Sequence, residues 1–156
     1  QANEPVHHVA YLFTYAGKPW LTQKWARFIP DHAYGPGLTG LCGNEDVGQM
    51  SAWYVLSAIG LHPVSPVDNI FIIGSPLFKS ATLQLDPKYA KGKTFSVVAC
   101  DNSAENIYIQ SAKLNGRPLN RAWLRYDEIA AGGKLELEMG AAPNENWGVQ
   151  ELPPNF

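Results

Sequence analysis

The chain is 156 residues long and carries 12 Lys and Arg against 14 Asp and Glu, a formal net charge of −2. That balance leaves no basic surface to neutralise phosphates and excludes a nucleic-acid or anionic-membrane binder. A composition of 46% hydrophobic and 17% charged residues is that of a globular chain with one sizeable core, and 14 Gly with 12 Pro imply many tight turns. No run approaches the roughly 20 apolar residues of a membrane helix, so no membrane span is expected. The start, Gln-Ala-Asn-Glu-Pro, has neither an initiator Met nor a signal-peptide apolar region and reads as an internal or processed piece. Cys42 and Cys100 are too few for a zinc site or a disulfide framework; one bridge and two free buried thiols both remain open.

Up to about His62-Pro63-Val64-Ser65-Pro66, apolar residues recur at helical spacing. Val9, Leu12 and Phe13 mark one helix, Trp20, Trp25, Phe28 and Ile29 a second, and Met50, Trp53, Tyr54, Ile59 and Leu61 a third. Gly17-Lys18-Pro19 ends the first, and Ile29-Pro30-Asp31 is expected to end the second because proline has no amide to continue the ladder. Gly35-Pro36-Gly37 and the segment from Gly40 to Asp46 make a long, glycine-rich approach to the third helix, the form that functional loops take.

Past Pro66 the pattern changes to short β-favouring runs at Ile70–Ile73, Ala81–Leu85, Thr94–Ala99 and Ile107–Leu114, separated by Gly, Pro, Asp and Asn. Asn115-Gly116 suits a tight hairpin. Trp123–Tyr126, a helical turn over Tyr126–Ala130, the Gly132-Gly133 turn and Leu135–Met139 complete the series. The expected fold class is α+β: a helical segment over 1–66 followed by an antiparallel β sheet or sandwich over 67–156.

Two polar clusters could carry chemistry. In Gly43-Asn44-Glu45-Asp46-Val47-Gly48-Gln49 the carboxylates precede a helix, where free amides and the macrodipole favour the ionised form that a general base needs. The plainer reading is an N-cap, with Asn44 or Asp46 accepting bonds from the first turn and Gln49 completing a capping box for Asp46. Asn3-Glu4-Pro5-Val6-His7-His8 offers hard oxygen donors of the kind calcium takes, six to eight at about 2.3–2.6 Å, or again a simple cap. Adjacent His7 and His8 diverge by about 100° on a helix and cannot chelate one ion together, so a single one facing a site is the better use. His32 and His62 are expected at the surface or in turns, and Trp20, Trp25 and Trp53 in the core. Phosphate loops, CxxC pairs and serine nucleophile elbows are absent from the sequence.

Asn3-Glu4-Pro5 with His8 and Tyr11-Leu12, then Pro19-Trp20 and Gln23, and above all the run from Gly43 to Val55, resemble the C-terminal part of the glycoside hydrolase family 92 α-mannosidases. Gly74–Phe78, Asn106–Ser111 and Leu114-Asn115-Gly116 extend the likeness over nearly the whole chain. The resemblance implies an exo-acting, calcium-dependent, inverting α-mannosidase in which this chain is the last helices of an (α/α)6 barrel and the closing β segment. The upstream part, including the general-acid Glu, would lie outside it. By the same likeness Asp46 matches the catalytic base, Asn44 and Glu45 share the catalytic loop with it, Asn3 and Glu4 match metal ligands, and His8, with His7, lies near the sugar.

The partners so implied are an α-mannoside glycan and the remaining N-terminal part of the same enzyme. An extracytoplasmic location follows from the substrate class. On its own the fragment is expected to be inactive and, with an apolar face left bare, to self-associate. The rival reading is a non-catalytic β-sandwich module that binds carbohydrate or braces a neighbouring domain.

Overall fold

In the computed structural model, residues 2–65 and 67–154 are described; the expected boundary residue Pro66 lies outside them. The chain opens with two 3-10 turns, Glu4–Val6 and Val9–Tyr11, that lead into helix α1 (Leu12–Tyr15). Helix α2 spans Pro19–Ala33 and α3 spans Gln49–Ile59. Gly60, at φ 95°, closes α3 and takes the left-handed conformation that frees the chain to turn. Strand β1 (Leu61–Pro63) follows at once, then β2 (Ile70–Ile73), β3 (Ser80–Gln84), β4 (Thr94–Cys100), β5 (Tyr108–Leu114) and β6 (Arg117–Pro118). Strand β7 (Trp123–Arg125), helix α4 (Tyr126–Ala130) and β8 (Gly133–Gly140) complete the order, so helices and strands both contribute and the fold class is α+β.

The strands form two sheets. A small antiparallel sheet has the order β1-β2-β7, and a larger one has the order β3-β4-β8-β5-β6. Because β1 precedes residue 66 and pairs with β2, the small sheet straddles the expected boundary. Within the larger sheet β4 and β8 run parallel, against the expectation of a wholly antiparallel half. The chain between them travels through β5, β6, β7 and α4, the long crossover that parallel pairing requires. Asn115 and Gly116, at φ 51° and 78°, make the expected hairpin turn, and the Asn115 side chain accepts a bond from the Lys134 amide at 2.7 Å.

Strand periodicity places the small sheet between two cores. Ile70, Ile72 and Trp123 face the helices and pack with Tyr11, Ala26 and Trp53. Ile73, Leu61 and Leu124 point the other way into the larger sheet, among Phe95, Val97, Ile109, Leu135 and Leu137. The layers are therefore helices, small sheet and large sheet.

Helix α2 departs from its sequence reading in two ways. It continues through Pro30 to Ala33. Pro30 is buried and only a last short turn follows it, so the single ladder bond its missing amide forfeits does not stop the helix. Its buried stripe, moreover, is Thr22, Gln23, Ala26, Arg27 and Pro30, whereas Trp25 (36% exposed) and Phe28 (44%) point outward, Trp25 beside Val6 and Val9. Of the three tryptophans expected in the core, Trp53 is fully buried, Trp20 half-buried and Trp25 exposed.

What the stripe buries is a cation held by neutral oxygens. Arg27 Nη1 donates to the Ser103 carbonyl at 3.1 Å, and Nη2 donates to Ser75 Oγ at 3.2 Å, to Asn102 Oδ1 at 2.5 Å and to the Pro76 carbonyl. One side chain thus ties α2 to the loops at both ends of the β2–β5 region. Arg27→Met removes four hydrogen bonds at once and is expected to lower unfolding stability by about 2–4 kcal/mol, read from denaturant melts of the two proteins.

Candidate active site

The N-terminal segment is pinned across the start of α3. Pro5 sits in the first 3-10 turn with its fixed φ, and His7 lies at the junction with the second turn, 3% exposed. The indole of Trp53 donates to the His7 carbonyl at 2.8 Å. Gln49 Nε2 donates to His7 Nδ1 at 3.2 Å, which puts the ring proton on Nε2, 3.1 Å from Met50 Sδ. His7 is therefore fastened by three residues of one helix face.

The loop before α3 has unusual backbone. Asp46 and Val47 adopt φ values of 53° and 56°, and Gly48 follows at 92°. A left-handed conformation is uncommon for Asp and an outlier for a β-branched, fully exposed Val47. Strain of this kind collects at functional sites, where the surroundings over-determine the backbone. The cap also differs from the expected one. Neither the Asn44 nor the Asp46 side chain bonds the first turn, where the Asp46 carbonyl accepts from the Gln49 amide at 3.2 Å; the Glu45 side chain does, accepting from the Ser51 amide at 3.1 Å and from Ser51 Oγ at 2.9 Å. Gln49 is turned to His7 instead. The Asn44 side chain is exposed, and the half-buried Asp46 carboxylate makes no hydrogen bond or ion pair with the described residues.

The two polar clusters meet. A Cβ on Gly43 would stand 2.1 Å from the Ala2 carbonyl oxygen, so the loop before α3 lies against the backbone immediately ahead of Asn3 and Glu4 at a closeness only glycine permits. Glu4, His7 and His8 then line a pocket of about 250 Å³ together with Gln49, Trp53 and His62. Asn3 and Glu4 are exposed and His8 is half-buried. Among the described residues no three His, Cys, Asp or Glu side chains gather as a metal cluster. Cys42 and Cys100 are free, Cys42 being exposed rather than buried.

His62 is the residue that sequence reasoning misplaced. It is 5% exposed, on the helix-facing side of β1 opposite Ile72, and its ring stacks on Tyr11 with centroids 4.4 Å apart. The missed signal was Gly60: a left-handed stop there lets a strand begin at Leu61, and alternation then turns His62 away from Leu61 toward the helices. His32, by contrast, is exposed as expected. Burial first, and then the coulombic influence of His7 and His8, push the His62 pKa down to about 4 from 6.5. A larger concavity, about 1020 Å³ and bordered by Arg117, Arg121, Glu128 and Glu151, contains none of these groups.

The model of the glycosyl hydrolase family 92 catalytic domain matches residues 1–141. The chain belongs to that family. A secreted glycosidase of Arthroderma benhamiae, itself uncharacterized, is 34% identical over an alignment 156 positions long that covers 99% of this chain and 20% of that protein. The family 92 α-mannosidase BT3965 of Bacteroides thetaiotaomicron, solved with mannoimidazole, superposes with a TM-score of 0.92 at 41% identity, covering 99% of this chain and 20% of its own. The inverting family 92 mannosidase BT2199 of the same organism gives 0.87 at 47% identity over 96% of this chain and 20% of its own. This chain thus spans about a fifth of the length of the family 92 relatives it matches.

Because the folded-state pKa of His62 lies below its unfolded value, the unfolded state binds the extra proton as pH falls. Stability is full above about pH 6.5 and declines toward pH 4, by up to about 3 kcal/mol from this one group. Melting curves across that window should show the acid loss in the parent and a flatter limb in His62→Phe.

Proposed function

We propose that this chain is the base-bearing portion of an exo-acting, inverting family 92 α-mannosidase that removes terminal α-mannose from glycans. The carrying observation is Asp46: a carboxylate without a partner among the described residues, on a strained left-handed turn, in a loop whose Gly43 packs against Ala2 and whose Gln49 lines a pocket of about 250 Å³ with Glu4. Support comes from the α-mannosidase BT3965 and the inverting mannosidase BT2199, relatives that superpose on nearly all of this chain.

Inversion requires a base to draw a proton from water while an acid, about 6.5–9.5 Å away, protonates the leaving oxygen. Asp46 takes the first part. Asn44, exposed on the same loop, orients the water, and Glu45 holds the loop by its bonds to Ser51. His8 and His7 meet the sugar from the pocket wall. The acid belongs to the rest of the enzyme, so the chain alone releases no mannose. A binding module, by contrast, gives no reason for strain at an unpaired carboxylate.

Calcium fits the chemistry of Asn3 and Glu4, an amide oxygen and a carboxylate that are exposed and make no side-chain bond within the described residues. They would be two of the six to eight oxygen donors that calcium takes. A cation held there would supply positive charge beside the sugar pocket. The bare apolar groove of Val6, Val9, Phe13, Trp25 and Ile29 is covered by the remaining enzyme, and the isolated chain self-associates through it. A location outside the cytoplasm accords with the glycan substrate and with the secreted Arthroderma relative.

In the full-length enzyme, Asp46→Asn should lower kcat by roughly 10²–10⁴-fold at unchanged melting temperature. Mannose release at the parental rate would overturn the assignment. Chelation should lower the melting temperature of the enzyme, and Glu4→Ala should abolish that dependence on calcium, as differential scanning fluorimetry would report.

A further inference from the structure

Nothing in the catalytic scheme uses His62, yet its environment is specific. Its Nδ1 is enclosed and has no hydrogen-bond partner among the described residues. An enclosed, unpaired N–H is costlier than an enclosed lone pair, because the donor forfeits water with nothing in return, so the ring proton resides on Nε2. His62 keeps 5% of its surface exposed and lines the pocket with Glu4, His7 and His8. With Nδ1 shut inside, Nε2 is the nitrogen left for the pocket side.

The direction of that N–H is fixed before any ligand arrives. Strand pairing sets the backbone, His62 lying opposite Ile72, and the stack on Tyr11 at 4.4 Å and 18° sets the ring plane. Tyr11 is held in turn by a 2.6 Å bond between its hydroxyl and Ser57 Oγ. The pocket around the donor is amphipathic: Trp53, Leu56 and Val64 provide apolar wall, while Glu4, His8 and Gln49 provide polar groups. That combination matches a sugar ring, with a C–H face for the apolar side and hydroxyls for the polar side. A carboxylate or phosphate ligand gains no charge pairing from an imidazole that burial keeps uncharged.

We infer that His62 is a substrate-binding, specificity-determining residue, whose Nε2–H donates a hydrogen bond to one hydroxyl oxygen of the neutral sugar ring seated in this pocket. The inference rests on the mannosidase reading and deepens it by one residue. A donor at this place selects for an oxygen at one ring position, since a sugar lacking it leaves the N–H unpaired in the closed pocket.

The test is a double-mutant cycle in the full-length enzyme between His62→Phe and a series of mono-deoxy α-mannosides. Phe keeps a flat ring for Tyr11 and removes both nitrogens. Its melting temperature at neutral pH should equal or exceed the parental one, because the orphaned acceptor is gone. With the intact mannoside, KM should rise about 5- to 10-fold while kcat changes by less than about 3-fold. One deoxy substrate should show the same KM in parent and variant, which identifies the hydroxyl. His62→Gln, which restores an N–H donor, should recover most of the KM, and His62→Leu serves the same cycle if the Phe variant does not fold. Parental KM in the apolar variants, or a further loss with every deoxy sugar, overturns the assignment and marks His62 as core packing only. A parent enzyme unable to cleave the intact mannoside would instead sink the mannosidase reading, and this inference with it.

Discussion

The hydrogen bond from the Trp53 indole to the His7 carbonyl is the contact on which the site depends. Trp53 is fully buried and packs against Tyr34, Tyr11 and His62, so its N–H has one place to go. By taking the carbonyl of a residue 46 positions earlier, it holds a short 3-10 segment that has too few ladder bonds to hold itself. Gln49 and Met50 then fasten the His7 ring from the same helix face. The acidic residues ahead of His7 and the loop ahead of Gln49 are thereby neighbours, an arrangement that the Gly43 contact with Ala2 completes.

Behind the site, rigidity comes from layering. The small sheet is buried on both faces, and its middle strand sends alternate isoleucines into each core. A sheet with no solvated face cannot slip by one residue without turning apolar side chains the wrong way, which fixes β1 and with it His62. Arg27 adds a second fastening from α2, directional where the cores are not. The strained turn at Asp46 is carried by this frame: Glu45 is anchored to Ser51, Gly48 opens α3, and the residues between are forced into the left-handed region.

Much of this was legible in the sequence. Helical spacing, the Gly17-Lys18-Pro19 break, the Asn115-Gly116 hairpin and the short helical turn from Tyr126 all record local preferences, and local preference decided them. The misreadings arose where tertiary context won. Pro30 reads as a stop, yet a buried position near the end of α2 tolerates it. The parallel pairing of β4 with β8 depends on a crossover that no local pattern encodes. His62 reads as a loop residue because three-residue strands carry almost no periodicity. The capping pattern around Asp46 matched the rule for a helix start, but the rule does not say which of three neighbouring side chains will be used. Glu45 taking that role leaves the Asp46 carboxylate without a partner among the described residues, a division of labour that spacing alone could not reveal. The resemblance to family 92 had grouped the clusters in advance; their physical proximity is what the fold adds.

Helix α2 has an inverted polarity, with its hydrogen-bonding groups inside and its aromatic rings outside. The seam between helices and sheet therefore owes nothing to Trp25 and Phe28, which touch neither Arg27's acceptors nor either acidic segment in the bonds described. Those two positions are handles for laboratory work: charged replacements there would solubilise the isolated chain for spectroscopy without disturbing the geometry around Asp46.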